Sequence, residues 1–191
     1  MKGKSRLILL VACLIATAAL HAQSNEPSPT SRFKTSGALV GYGKAINKET
    51  DYKIIYLVGD FSWSFTRLPK KKYFMAYYVE PQVNPVRTKR PWDIEVGVNA
   101  GIRGYWKINE GLYCYQMLGS GPHFITADVK RQAKGFIFSD NAALGFFKKI
   151  NDKNRFLNLQ FRWRHLSNAG FKKPNSGIDS WNILVGLSGG F

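Results

Sequence analysis

Cysteine is almost missing. The chain of 191 residues holds two, Cys13 and Cys114, and Cys13 lies in an apolar N-terminal stretch that has the marks of a removable leader. One remaining cysteine forms no internal disulfide, and a Cys/His metal cage cannot be assembled. Acidic residues are scarce: 12 Asp+Glu stand against 28 Lys+Arg, a formal net charge of +16. Past the N-terminus no apolar run reaches the roughly 18 residues that a spanning helix needs, which excludes a helical membrane bundle. No G-x-x-x-x-G-K-[ST] loop and no dinucleotide-type glycine motif follows a strand-like run. What is present excludes intrinsic disorder: 45% of residues are hydrophobic and 14% aromatic. The length fits one domain.

Lys2, Lys4 and Arg6 precede the apolar run Leu7–Leu20, and Leu20-His21-Ala22 follows. That is the layout of a secretory signal peptide over residues 1–22, cleaved after Ala22. Leu10-Val11-Ala12-Cys13 offers a rival, a lipoprotein-like box, but more apolar sequence follows Cys13 where a lipidated chain turns polar. Removal of residues 1–22 leaves 25 basic residues against 12 acidic ones, a net +13, with His123 and His165 as the remaining histidines. Such an excess calls for an anionic partner. For an exported chain that partner is phosphorylated lipid, not nucleic acid.

Residues 23–32 are polar and proline-containing, and read as a linker. From there to 191 the chain is a series of runs rich in aromatic and β-branched residues, separated by turn signals. Eight runs are expected, at 33–43, 52–67, 72–83, 92–106, 112–125, 135–149, 154–168 and 178–191. The gaps alternate. Leu68–Lys71, Lys107–Gly111 and Ile150–Lys153 are short; Lys44–Asp51, Asn84–Pro91, Thr126–Lys134 and Ala169–Gly177 are longer and basic. Short turns at one end and longer loops at the other suit an all-β, eight-stranded antiparallel up-and-down transmembrane β-barrel of the outer membrane.

The seventh run alternates cleanly. Leu157, Leu159, Phe161 and Trp163 fall on one face of a strand, and Asn158, Gln160, Arg162 and Arg164 on the other. By itself this fits a barrel with the apolar face inward or outward. The last run tips the balance to a membrane: Trp181, Ile183, Val185 and Leu187 share a face, and the chain ends on the aromatic Phe191. Glu80 and Glu95, in strand runs, are expected to pair with Arg in the interior. His123 reads as structural and Cys114 as an inert packed thiol.

His165 and Ser167 end the seventh run and, two residues apart, project from one face. Asp179 opens the eighth run in phase with Trp181, and the hairpin 169–177 brings it beside His165. A serine, a histidine and an acid on one surface are the parts of a hydrolytic triad. Asn168, Gly170 and Asn175 lie near enough to supply oxyanion donors, by side-chain amide or backbone N–H. The same residues also suit hairpin turns.

The stretch FRWRHLSNAGFKKPNSGIDSWNI, Phe161 to Ile183, resembles the C-terminal motif of the outer-membrane lipid A 3-O-deacylases, the PagL family. GSGPHFIT (119–126) and GFIFSDN (135–141) are similar to further segments of that family. The resemblance implies an eight-stranded barrel and a serine esterase that removes the 3-O-linked acyl chain of lipid A in lipopolysaccharide, without metal or organic cofactor. By position it gives Ser167 as nucleophile, His165 as general base and Asp179 as the acid, where the family commonly carries Glu. The basic loop residues Lys44, Lys48, Arg87, Lys89, Arg90, Lys130, Arg131, Lys134, Lys172 and Lys173 would meet lipid A phosphates. With the N-terminus periplasmic, the seventh run ends at the outer leaflet and places the active site there. A non-enzymatic barrel for structure or adhesion, or a soluble lipid carrier of lipocalin type, would share much of this layout. The residues set no oligomeric state.

Overall fold

The computed structural model describes residues 33–47, 50–65, 72–89, 92–151 and 153–190. The expected signal peptide, the linker, Lys48, Arg90 and the terminal Phe191 lie outside these residues. The described chain is almost all strand: β1 (Lys34–Ala45), β2 (Lys53–Ser64), β3 (Tyr73–Arg87), β4 (Asp93–Asn109), β5 (Leu112–Ser120), β6 (Pro122–Ile125), β7 (Gly135–Asn151), β8 (Arg155–Ser167) and β9 (Ile178–Gly190). Apart from β5 and β6, each neighbour in sequence is an antiparallel neighbour in space, and β1 closes onto β9 from Thr35↔Gly190 to Ala45↔Ser180. β5 and β6 are one stave interrupted at Gly121. Both pair with β4 and β7, and the register is the same on either side of the break. A side chain at 121 would meet the Val98 carbonyl oxygen at 1.8 Å, so only glycine fits there. The nine strands thus make a closed ring of eight staves with no free edge, the form a sheet must take where no water can pair its backbone.

The faces are inverted relative to a water-soluble barrel. On β8, Leu157, Leu159 and Phe161 are exposed, while Asn158, Gln160, Arg162 and Arg164 are fully buried. On β9, Trp181, Ile183, Val185 and Leu187 are exposed, while Ser180 and Asn182 are buried. An apolar outer wall of this extent has no place in water, which rules out the soluble carrier. Aromatic side chains crowd both rims of the belt: Trp63, Tyr73, Tyr77 and Trp106 at one, Tyr42, Trp92, Phe124 and Trp181 at the other. Aromatic girdles mark the two interfaces of a membrane barrel.

The lumen is filled in three layers. Phe33, Phe74, Tyr105, Phe147 and Phe156 plug one end, with Phe74 on Tyr105 at 4.8 Å and Phe147 on Phe156 at 4.6 Å. The middle holds three guanidinium groups and three carboxylates, all without exposure. Arg103 pairs with Asp60 and Glu80 at 3.0 Å each, Arg162 with Glu80 at 2.7 Å, and Arg164 with Glu95 at 2.6 Å. Buried charge is tolerated only when paired and hydrogen-bonded. Glu95 meets that condition fully, accepting also from Tyr52, Asn84 and the His123 ring. His123 is therefore part of the interior network, as its sequence context suggested. Leu39, Ile54, Val86, Ile137, Leu166 and Leu184 fill the remaining end.

Some strand limits depart from the sequence expectation. β3 continues past 83 to Arg87, through Pro81 and Pro85, so the expected loop from Asn84 is strand as far as Arg87. A proline removes a ladder donor; beside Pro85 a side chain joins the ladder, the Leu57 N–H donating to Asn84 Oδ1 at 3.3 Å. Lys44 and Arg87 are likewise strand residues rather than loop residues. Cys114 shares the outward phase of Gln116 and Leu118, so it lies on the outer wall and not in a packed core.

Candidate active site

Arg164 points inward to Glu95, so strand alternation turns His165 outward. Its register partner across the ladder is Asp179, and Nδ1 donates to Asp179 Oδ1 at 2.8 Å. The shorter carboxylate therefore reaches the imidazole without an additional methylene. That bond keeps the proton on Nδ1 and leaves Nε2 as an acceptor, the form a general base requires. Trp163 lies parallel to the His165 ring, with centroids 6.2 Å apart. Gly177 borders the opposite side: a Cβ there would lie 2.5 Å from Cε1 and 3.0 Å from Nε2 of His165. Gly177 also has φ +72, which favours glycine.

Ser167 is the last residue of β8 and sits on the same outward face as His165. Two residues along a strand span about 7 Å, and the side-chain hydrogen-bond partner of His165 is Asp179 rather than Ser167. Pairing between β8 and β9 begins at Leu166↔Ile178, so Ser167 opens directly into the hairpin 168–177.

The three oxyanion candidates fall into two groups. Asn168 is buried and shapes the loop: its Oδ1 accepts from Gly170 N at 3.1 Å, its Nδ2 donates to the Lys172 carbonyl at 2.6 Å, and its own N–H donates to Asn175 Oδ1 at 2.8 Å. The Gly170 N–H is thereby used inside the loop. Asn175 is held by its oxygen, and its Nδ2 takes no part in these bonds. Asn168 Nδ2 spends one of its two N–H groups on Lys172, so the side-chain amides of both Asn168 and Asn175 keep a donor to offer.

Two neighbours escaped the sequence reading. Asp140 of β7 is the register partner of His165 on the other flank, and accepts from Ser120 Oγ at 2.6 Å. Its signal was its phase with Phe136 and Phe138 on one face of the run. Gly177 had no signal beyond being a glycine before a strand.

A closed eight-stave ring with an apolar outer wall, aromatic rims and a filled lumen is an outer-membrane β-barrel. Solved structures of that class superpose on it. Neisserial surface protein A matches with a TM-score of 0.55 at 10% identity, over 86% of this chain and 98% of its own. Ail, the attachment invasion locus protein of Yersinia pestis, matches with 0.52 at 12% identity, over 85% and 99%. Within that class, the model of the lipid A 3-O-deacylase (PagL) family matches residues 30–188, and the chain belongs to that family. The crystal structure of the outer membrane enzyme PagL superposes with a TM-score of 0.57 at 17% identity, covering 80% of this chain and 97% of that one. At such identities the superpositions speak for the fold. No curated protein sequence matches the chain. Family membership makes this an outer-membrane lipid A deacylase, a hydrolase, and sets aside the non-enzymatic barrel.

Proposed function

We propose that this lipid A 3-O-deacylase is a serine esterase whose reacting groups lie on the outer wall at the level of the outer leaflet. Ser167 Oγ attacks the ester carbonyl carbon while His165 Nε2 takes its proton. The oxyanion that forms is met by Asn175 Nδ2. Collapse of the tetrahedral species breaks the bond to the sugar oxygen, which leaves with the proton from His165. The acyl group now rests on Ser167. Water attacks it with His165 again as base, the fatty acid departs, and Ser167 is restored. Asp179 holds the imidazole by Nδ1 and balances the imidazolium formed in both halves. Lys172 and Lys173 on the catalytic hairpin, with Lys130 and Lys134 on the next loop, attract the lipid A phosphates.

The observation that carries the reading is the 2.8 Å bond between His165 Nδ1 and Asp179 on the outward face, with Ser167 next on that same face. The outer-leaflet placement is supported by β8 ending where the stretches 126–134 and 168–177 between named strands lie, opposite the short turns at 110–111 and 153–154. The test is mass spectrometry of lipid A from cells producing the wild type or Ser167→Ala. The variant loses one hydroxyl at a strand end and keeps its barrel. Its deacylated lipid A falls by orders of magnitude. Wild-type product from Ser167→Ala sinks the nucleophile assignment.

A further inference from the structure

Residues 168–177 lie beyond both the β7–β8 and the β8–β9 ladders, so neighbouring strands do not hold them in place. A loop from elsewhere does. The segment 126–134, between β6 and β7, is bonded to residues 174–177 at successive points. Ala133 N donates to the Pro174 carbonyl at 2.9 Å, and Ser176 N donates to the Arg131 carbonyl at 2.8 Å. Gln132, wholly buried, forms a bridge with Asn175. The Arg131 guanidinium completes the seam. One terminal nitrogen donates to the Ser176 carbonyl at 3.1 Å, and Nε donates to the Gly177 carbonyl at 3.3 Å.

What this seam holds is the wall of the site. Gly177 lies against Cε1 and Nε2 of His165, and has no side chain of its own to anchor it. Asn175, two residues earlier, carries the amide assigned above to the oxyanion. We infer that Arg131 is a positioning residue for deacylation: by forking onto two consecutive carbonyls it fixes the peptide that backs the His165 imidazole and the segment that presents Asn175. The inference rests on the serine-esterase reading for the roles of those two residues. The guanidinium suits the task because its planar fork satisfies two acceptors at once. A lysine ammonium is a single point charge on a flexible stem and does not hold two consecutive carbonyls in one plane. By sequence Arg131 belongs with the loop cations expected to meet phosphate. Its guanidinium is instead turned inward onto the catalytic hairpin, while Lys130 and Lys134 beside it remain exposed.

The two roles separate in kinetics. A residue that binds substrate phosphate acts on KM. One that orients the base and the oxyanion donor acts on kcat. The experiment compares wild type, Arg131→Ala, Arg131→Lys and Ser167→Ala, each purified in detergent and brought to equal amounts of the band that migrates as folded in unheated gels. Two rates are read: kcat and KM for lipid A deacylation, and the rate of covalent labelling by a small fluorophosphonate, which has no lipid A phosphates. Arg131→Ala should lose about 10²-fold in kcat with KM little changed, the scale of a misplacement of about 1 Å. Labelling should slow in parallel, and Arg131→Lys should stay low in both. Should Arg131→Ala yield no folded band, Arg131→Lys alone carries the same expectation. Labelling and kcat at wild-type level in the folded variants would overturn the inference, as would a loss confined to KM. Ser167→Ala labelled as fast as wild type would instead sink the nucleophile reading, and kcat for deacylation would then decide the role of Arg131 by itself.

Discussion

Consider Asp179→Asn, which keeps the shape of the side chain and removes its charge. The carboxylate is 2.8 Å from His165 Nδ1, and the two side chains are 32% and 31% exposed. When His165 takes the proton of Ser167, an imidazolium forms with its charge centre about 4 Å from that of the carboxylate. At the effective dielectric of about 20 that suits a site near a protein surface, their attraction is about 4 kcal/mol. Solvent reaches a third of each side chain and screens part of this, leaving about 3 kcal/mol. At about 1.4 kcal/mol per decade that is about 10²-fold in kcat/KM. Asparagine adds a second loss, because it can turn an N–H toward Nδ1 and favour the tautomer whose Nε2 is already protonated. In the serine proteases the corresponding change costs about 10⁴ in turnover. For this wetter site the expected loss lies between about 10² and 10³. Asp179→Glu should stay within about tenfold of wild type, because it restores charge with a side chain long enough to reach Nδ1. The assay is release of fatty acid from lipid A at equal amounts of folded protein. Equal rates for Asn and Asp would mean that the carboxylate neither orients His165 nor stabilises its charge, and the reasoning fails.

Gly177→Ala should cost about 10²-fold in deacylation while the folded band is kept, since the new methyl would sit 2.5 Å from His165 Cε1; wild-type turnover would show that the imidazole does not rest there. Leu159→Arg places a charge halfway along β8 on the lipid face, where the native side chain is 45% exposed, and should lower barrel stability by about 2–4 kcal/mol in a urea titration in vesicles. A shift near zero would contradict the outward orientation of that face. Glu80→Ala strips the partner common to Arg103 and Arg162, and should cost about 3–5 kcal/mol in the same titration. Removal of the exposed Asp128 should move the midpoint by no more than about 0.5 kcal/mol.

The strands that mattered most were the easiest to read. β8 from Leu157 to Arg164 alternates without interruption, and β9 does so except at Leu184, an apolar residue on the inward face, because one face meets lipid and the other meets the lumen. β3 was cut short because Pro85 reads as a loop signal. Only the register with β2 reveals that Asn84 Oδ1 takes up the Leu57 N–H. The expected Glu80 and Glu95 pairings with Arg were legible as charges in otherwise apolar runs. Asp60, the remaining acid of the lumen, sits after a glycine and carried no such contrast. His165, Ser167 and Asp179 could be placed on one face by parity alone, because a hairpin converts sequence spacing into spatial adjacency. The contribution of the loop 126–134 could not be placed that way. It depends on how two neighbouring loops meet beyond the ladder, and neither periodicity nor spacing encodes that meeting.

The filled lumen has a consequence for how substrate arrives. Phe33, Phe74 and their neighbours seal one end, and the charged layer above them is closed to the outside. Nothing reaches His165 by passing through the barrel, and nothing dissolved in water meets it from within. Lipid must come sideways, drifting in the plane of its own leaflet until it touches the outer wall. The quantity that governs encounter is therefore molecules per unit area of membrane rather than per unit volume of solution. In mixed micelles, turnover at a fixed amount of lipid A should fall as inert detergent is added, because each added molecule enlarges the surface on which enzyme and substrate must find one another.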